Sequence, residues 1–212
     1  MQKPPRKPPV IYVGATYVGK FTDREFIFEV FDEANRYFEE NGIPVRFVYL
    51  GKLELGPGYL INIPTESGNV KGYPLEAIIE ALYARLVAEL QREDGLPIDR
   101  LFGLTTFPLV SRNPYFHLYE RFLGIQQEIT GMKVMVLSIK PFESKNRTLM
   151  KKRVLKGVLH ELGHSFGLEH CSNECVMNPP EDIVDWDSRP VAYCNSCMRK
   201  LHGALTAELL LR

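Results

Sequence analysis

The chemistry in this sequence is concentrated in one stretch, His160-Glu161-Leu162-Gly163-His164-Ser165-Phe166-Gly167-Leu168-Glu169-His170. Residues four apart on a helix lie roughly 40° apart around its axis, so His160 and His164 present imidazoles to one point from successive turns. Glu161 is rotated by about 100° from His160, near a cation held there but angled past it. That geometry suits a general base rather than a ligand. Glycine at 167 lets the chain turn sharply and bring His170 back as a third nitrogen donor. Three protein ligands leave one position for water, which separates catalytic zinc from structural zinc. Zinc lowers the pKa of its water to about 7, and Glu161 is placed to take that proton and hand it to a leaving amine. A bare His-Glu-x-x-His helix is often unrelated to metal; the glycine and the third histidine set this one apart. Of the five histidines, His117 and His202 fall outside the stretch and read as ordinary side chains.

The four cysteines, Cys171, Cys175, Cys194 and Cys197, form two closely spaced pairs, the pattern of a closed four-thiolate zinc site. Unconnected core cysteines and a disulfide are the alternatives. Neighbouring side chains in extended backbone point to opposite sides, so adjacent His170 and Cys171 can serve two different metals. The cysteine site would then brace the third histidine. Met177 follows in Cys175-Val176-Met177-Asn178-Pro179-Pro180. A lone methionine usually fills core space. Beside this zinc motif it is the expected Met-turn, an apolar floor under the imidazoles.

At these residues the sequence resembles the archaemetzincins, a metzincin family. The resemblance rests on the long histidine motif followed at once by Cys171, then Cys175-Val176-Met177, then Tyr193-Cys194-Asn195-Ser196-Cys197. The spacings from Cys171 to Cys175 and from Met177 to Cys194 are each one residue shorter than the family's pattern. The resemblance implies two zinc ions per chain, one catalytic and one structural, with peptidase chemistry. Endopeptidase and aminopeptidase-like action both stay open. A zinc-stabilised peptide- or protein-binding module with little proteolysis is the alternative, although such a module has no use for Glu161.

The elements that must position these groups can be read from periodicity. Residues 10–14 predict a first strand. Thr22 or Asp23 can cap a helix to about Glu40, with Phe26, Val30, Ala34 and Phe38 along one face. Residues 44–50 read as a strand, and 51–72 as a long loop with an extended piece at 59–63. Pro74 opens a helix whose apolar face is Leu75, Ile78, Ile79, Leu82, Leu86 and Leu90. Residues 100–105 and 133–139 read as strands, with 115–128 ambiguous. The motif helix spans about 148–166 with Val154, Leu155, Val158, Leu159 and Leu162 buried. Residues 168–194 lack periodicity and need a metal for order, and 195–211 form a closing helix. The fold class is α+β: a mixed twisted sheet, two backing helices, the motif helix, and a small zinc-stabilised C-terminal lobe. Expected divisions are a tail at 1–9, an upper part at 10–167 and a lower part at 168–212.

Composition bounds the rest. The chain has 212 residues with 26 acidic and 26 basic side chains, ordinary for one globular domain. Zero formal charge gives no electrostatic reason to expect nucleic acid. No apolar run approaches the ~20 residues of a membrane span, and 1–9 lacks the apolar segment of a signal peptide. A monomeric cytoplasmic protein acting on peptides or proteins is expected. Lys145, Arg147, Lys151, Lys152, Arg153 and Lys156 read as a solvated basic face, with an acidic partner as the minority reading. Residues 111–116 are a candidate edge strand for an extended peptide. Tyr115 and Tyr193 are candidate oxyanion donors.

Overall fold

Residue pattern and strand position agree at the centre of the sheet. The strand β1, Ile11–Val18, is an almost unbroken apolar run because it is covered on both faces. It lies between β2, Val45–Leu53, and β5, Ile98–Thr105, and runs parallel to both. The computed structural model describes residues 9–19, 21–65, 68–111 and 124–211. Within them a five-stranded sheet has the order β2, β1, β5, β7 (Met132–Ser138) and β6 (Gly124–Ile129). Strand β7 continues the parallel set, and β6 closes it antiparallel to β7. The sheet is mixed, as expected for the α+β reading. The expected edge strand at 111–116, with Tyr115 and His117, falls almost wholly outside the described residues.

Helices α1, Arg24–Glu40, and α3, Arg147–Ser165, cover one face, and α2, Leu75–Leu90, covers the other. Asp23 caps α1 by accepting the Phe26 N–H at 3.1 Å, as its side chain predicts. Asn146 does the same for α3 with the Leu149 N–H at 3.1 Å. The predicted stripe Val154, Leu155, Val158, Leu159 and Leu162 is buried. Helix α3 lies close on the sheet because Gly157 has no side chain; a Cβ there would meet Leu137 carbons at 2.8 and 2.9 Å. Pro74 sits just before α2 rather than inside it.

Two regions differ from the sequence reading. Residues 51–72 contain a hairpin, β3 at Ile61–Thr65 and β4 at Gly68–Gly72. The first strand overlaps the extended piece expected at 59–63, where Ile61 and Ile63 alternate with Asn62; the second, Gly-Asn-Val-Lys-Gly, carries no apolar alternation. Pro64 is tolerated because a two-stranded ribbon has only edge strands. The basic face at the start of α3 is largely ion-paired rather than simply solvated. Arg147 binds Asp23 at 2.8 Å and Glu29 at 2.7 Å, and Lys151 reaches Glu29 and Glu33, tying α3 to α1.

After α3 the chain is irregular apart from a short helix α4, Ile183–Ser188, before α5, Asn195–Leu210. The closing helix is pinned by Arg100, which is only 2% exposed. Its guanidinium gives Glu208 two hydrogen bonds, at 2.9 and 2.8 Å, and lies 4.3 Å over the Phe166 ring. One buried arginine thus joins the sheet, the end of α3 and α5.

Candidate metal centre

The last two turns of α3 place His160 and His164 with their Nε2 atoms 3.0 Å apart. His160 Nδ1 is 2.6 Å from the Val176 carbonyl, and His164 Nδ1 is 2.7 Å from the Leu168 carbonyl. A carbonyl only accepts, so each Nδ1 carries the proton and each Nε2 keeps its lone pair. Two lone pairs facing at that distance repel, and a shared cation relieves them. Gly167 adopts φ +79°, the left-handed turn that only glycine takes cheaply, and the chain doubles back to His170. The His170 ring stands 5.2 Å from His160 and 4.9 Å from His164, centroid to centroid. The three candidate donor atoms lie within 4.8 Å of one another. His160 is buried and His170 exposed, so this donor set is open on one side. Burial pushes His160 down to about 4 and lowers His164, holding both in the neutral form that ligation requires.

Glu161 is 4% exposed, and burial pushes its carboxyl up to about 8. A cation at the neighbouring imidazoles opposes that shift and favours the ionised base. The side chain fits because Gly124, the first residue of β6, has no Cβ. One built there would lie 2.6 Å from Glu161 Oε1 and 2.7 Å from its carboxyl carbon. Gly124→Ala is therefore expected to displace the Glu161 carboxyl and lower hydrolysis by roughly tenfold to a hundredfold. Zinc content should stay unchanged, since no metal-donor atom moves. Parallel rate and metal assays of the variant check this.

Beside these groups is a cavity of about 870 Å³, walled by residues of β6, the turn at 141–142, α3 and residues 170–186. Glu161 and all three histidines line it.

The cysteines converge on a second point. Their four sulfurs lie within 4.8 Å of one another and none is in a disulfide. Burial raises the Cys175 thiol, and the N–H groups of Cys194 at 3.1 Å and Met177 at 3.4 Å, which its Sγ accepts, offset part of that rise. Burial resists ionisation of Cys194, yet the Cys197 N–H and the Asn173 amide bring its thiol down to about 6. Four thiols in a closed cluster suit structural zinc.

The two clusters share a short backbone. Val176, between Cys175 and Met177, gives its carbonyl to His160 and donates its own N–H to Ala192 O at 2.9 Å. The Met177 carbonyl accepts the Cys171 N–H at 3.1 Å. Met177 Sδ presses on Gly163, where a Cβ would lie 2.5 Å from the sulfur. The methionine is thus against α3 between His160 and His164. Tyr193 does not line the cavity, and its hydroxyl donates to the Leu159 carbonyl at 2.5 Å. That bond removes it as an oxyanion donor. His202 joins neither cluster.

Gly124 and Trp186 are the residues that periodicity and motif reading did not reveal. Trp186 carried one signal, as the only tryptophan of the chain in an otherwise polar, irregular stretch.

Comparison with known proteins agrees with this geometry. A model of peptidase family M54 matches residues 10–203. Among curated proteins, an archaemetzincin of Archaeoglobus fulgidus is 34% identical over 105 residues, 50% of this chain and 61% of that protein. An archaemetzincin of Pyrococcus abyssi is 52% identical over 62 residues, 29% of this chain and 33% of that one. The alignments thus span only a third to three fifths of these two relatives' length. The crystal structure of an archaemetzincin from Methanopyrus kandleri aligns over 93% of this chain and 96% of its own, with TM-score 0.67 and 21% identity. One from Archaeoglobus fulgidus, solved with malonate, gives TM-score 0.62 over 90% of this chain and 99% of its own, at 20% identity. At those identities the likeness concerns the fold.

Proposed function

This chain belongs to peptidase family M54, and we propose that it is a zinc metallopeptidase that hydrolyses peptide bonds in the cleft beside α3. His160, His164 and His170 would hold the catalytic zinc, and Cys171, Cys175, Cys194 and Cys197 a structural one. The observation that carries the reading is the pair of Nδ1–carbonyl bonds, which aim two bare Nε2 atoms at one point beside buried Glu161. Zinc bound there supplies a Lewis acid and an acidified water.

The chain's own groups do the rest. Glu161 receives the proton of the attacking water and returns it to the departing amine nitrogen, with no other ionisable group needed at the bond. Gly124 gives the carboxyl room to lie against β6. The Val176 and Leu168 carbonyls keep the imidazoles in the correct tautomer throughout. In this reading residues 10–167 form the upper wall of the cleft and 168–212 the lower, and the cavity lining draws on both. Among the described residues no helix is long and apolar enough to cross a membrane.

The test is digestion of a peptide library by protein of measured zinc content, before and after chelation and zinc restoration. Products that vanish on chelation and return with zinc are expected. Including N-acetylated peptides shows whether a free amino terminus is required. Peptide binding without products, at two zinc ions per chain, would favour a binding module instead.

A further inference from the structure

Lys156 is a buried cation that the proposed chemistry does not use. It lies one turn before His160 on α3 and is only 3% exposed. Its Nζ donates to the Trp186 carbonyl at 2.5 Å, lies 3.4 Å from the Asp187 carbonyl, and stands 5.6 Å from the Trp186 ring centroid. Burying an ammonium is costly, and here the return is the carbonyl end of α4, where helix partial charge is negative.

Helix α4 has six residues, too few to hold itself together in water. Its order must come from outside. Arg153, on the same face of α3 as Lys156, grips Asp187 through Nε at 2.7 Å and Nη2 at 2.5 Å. The Trp186 indole N–H donates to the Arg153 carbonyl at 3.1 Å, so the tie runs in both directions. Part of the basic cluster on α3 is therefore a clamp on α4.

What the clamp holds is one wall of the cleft. Ile183 of α4 lines the cavity together with Ile125, Pro141 and Pro180, and with the polar Glu181 and Asp182. Trp186 and Phe142 line it too, stacked with centroids 6.2 Å apart at 19°, and Trp186 meets the His160 ring edge-on at 6.4 Å. The Ile183, Trp186 and Phe142 side chains give that wall an apolar patch that reaches the His160 ring. A substrate atom at the metal would therefore place a neighbouring side chain against it.

We propose that Lys156 is a positioning residue for specificity: it fixes α4 so that the cleft accepts peptides with a bulky apolar side chain beside the scissile bond. The inference rests on the zinc-peptidase reading, and its test separates the two.

The experiment uses full-length zinc-loaded protein and two hydroxamates, acetohydroxamic acid and 3-phenylpropanohydroxamic acid. Binding is followed by the fluorescence of Trp186, the chain's only tryptophan. Wild type should bind the phenyl compound about tenfold or more tightly than the acetyl one, the scale of burying a ring in an apolar pocket. Lys156→Met should remove most of that preference and shift the emission. Its zinc content and acetohydroxamate affinity should stay within about twofold of wild type, because no candidate metal donor lies on α4 and the small compound does not extend to that wall. Asp187→Asn loosens the same tie from the more exposed side and should give a smaller loss, so a Lys156 variant that fails to fold does not end the test. A wild type that binds both hydroxamates equally, or variants that keep the full preference, would overturn the clamp while leaving the metal site standing. Failure of zinc-loaded wild type to bind either compound would remove both readings.

Discussion

Glu161→Gln is expected to cut peptide hydrolysis by about a thousandfold, within the range that a positioned acid–base group contributes. That corresponds to about 4 kcal/mol of barrier. Glutamine keeps the shape and cannot take the proton. The protein should not suffer otherwise, because Glu161 is buried and its only cause of a raised pKa is desolvation. Removing an ionisable group from such a place relieves a cost rather than creating one. Unfolding temperature should hold or rise, and zinc content should be unchanged. Equal turnover by wild type and variant, at equal zinc, would defeat the assignment of Glu161 as base.

The second large effect is expected from replacing Cys194 and Cys197 by serine together. One zinc per chain should be lost, and residues 171–197 should become sensitive to limited proteolysis. Structural zinc contributes roughly 10–16 kcal/mol of apparent binding energy in small domains that fold around it. Here one core runs from the sheet, α1 and α3 into Cys175, Val176, Met177 and Cys197, but most of it and all of the α2-side core lie outside this segment, so the sheet should persist. The loss should still reach His160, His164 and His170. Cys175 Sγ accepts the Met177 N–H, and Val176 between them holds the His160 tautomer. Loss of such a supporting bond typically weakens metal affinity by about 10–100-fold. Competition titration of the remaining zinc measures it. Unchanged affinity would show that the cysteine cluster stabilises only its own segment.

Much of this arrangement was legible in the sequence because it is local. The cap of α1 at Asp23, the buried stripe of α3 and the left-handed glycine at 167 each depend on residues within a few positions. The ligand sets were legible for the same reason: spacing on a helix fixes direction, and paired cysteines imply a shared metal. The hairpin at 61–72 was legible only in its first strand, since the second, Gly-Asn-Val-Lys-Gly, has one apolar residue and no period of two. Gly124 has no local need for glycine; the need comes from Glu161, brought against it by tertiary packing. Lys156 looked solvated because its partners are backbone carbonyls of α4, and backbone carries no letter in a sequence. Tyr193 was misjudged in the other direction, its hydroxyl being committed to the Leu159 carbonyl.

The position of the seven candidate ligands along the chain bears on how the molecule assembles. All lie between His160 and Cys197, downstream of every strand of the sheet. Strands β1, β2, β5 and β7 can therefore align, and α3 can dock on them, before any ion arrives. Metal capture then closes only short chain segments, for which loop-closure entropy is modest. Loading can therefore follow folding, and the metal-free chain is expected to keep its sheet by circular dichroism and to take up zinc without first unfolding.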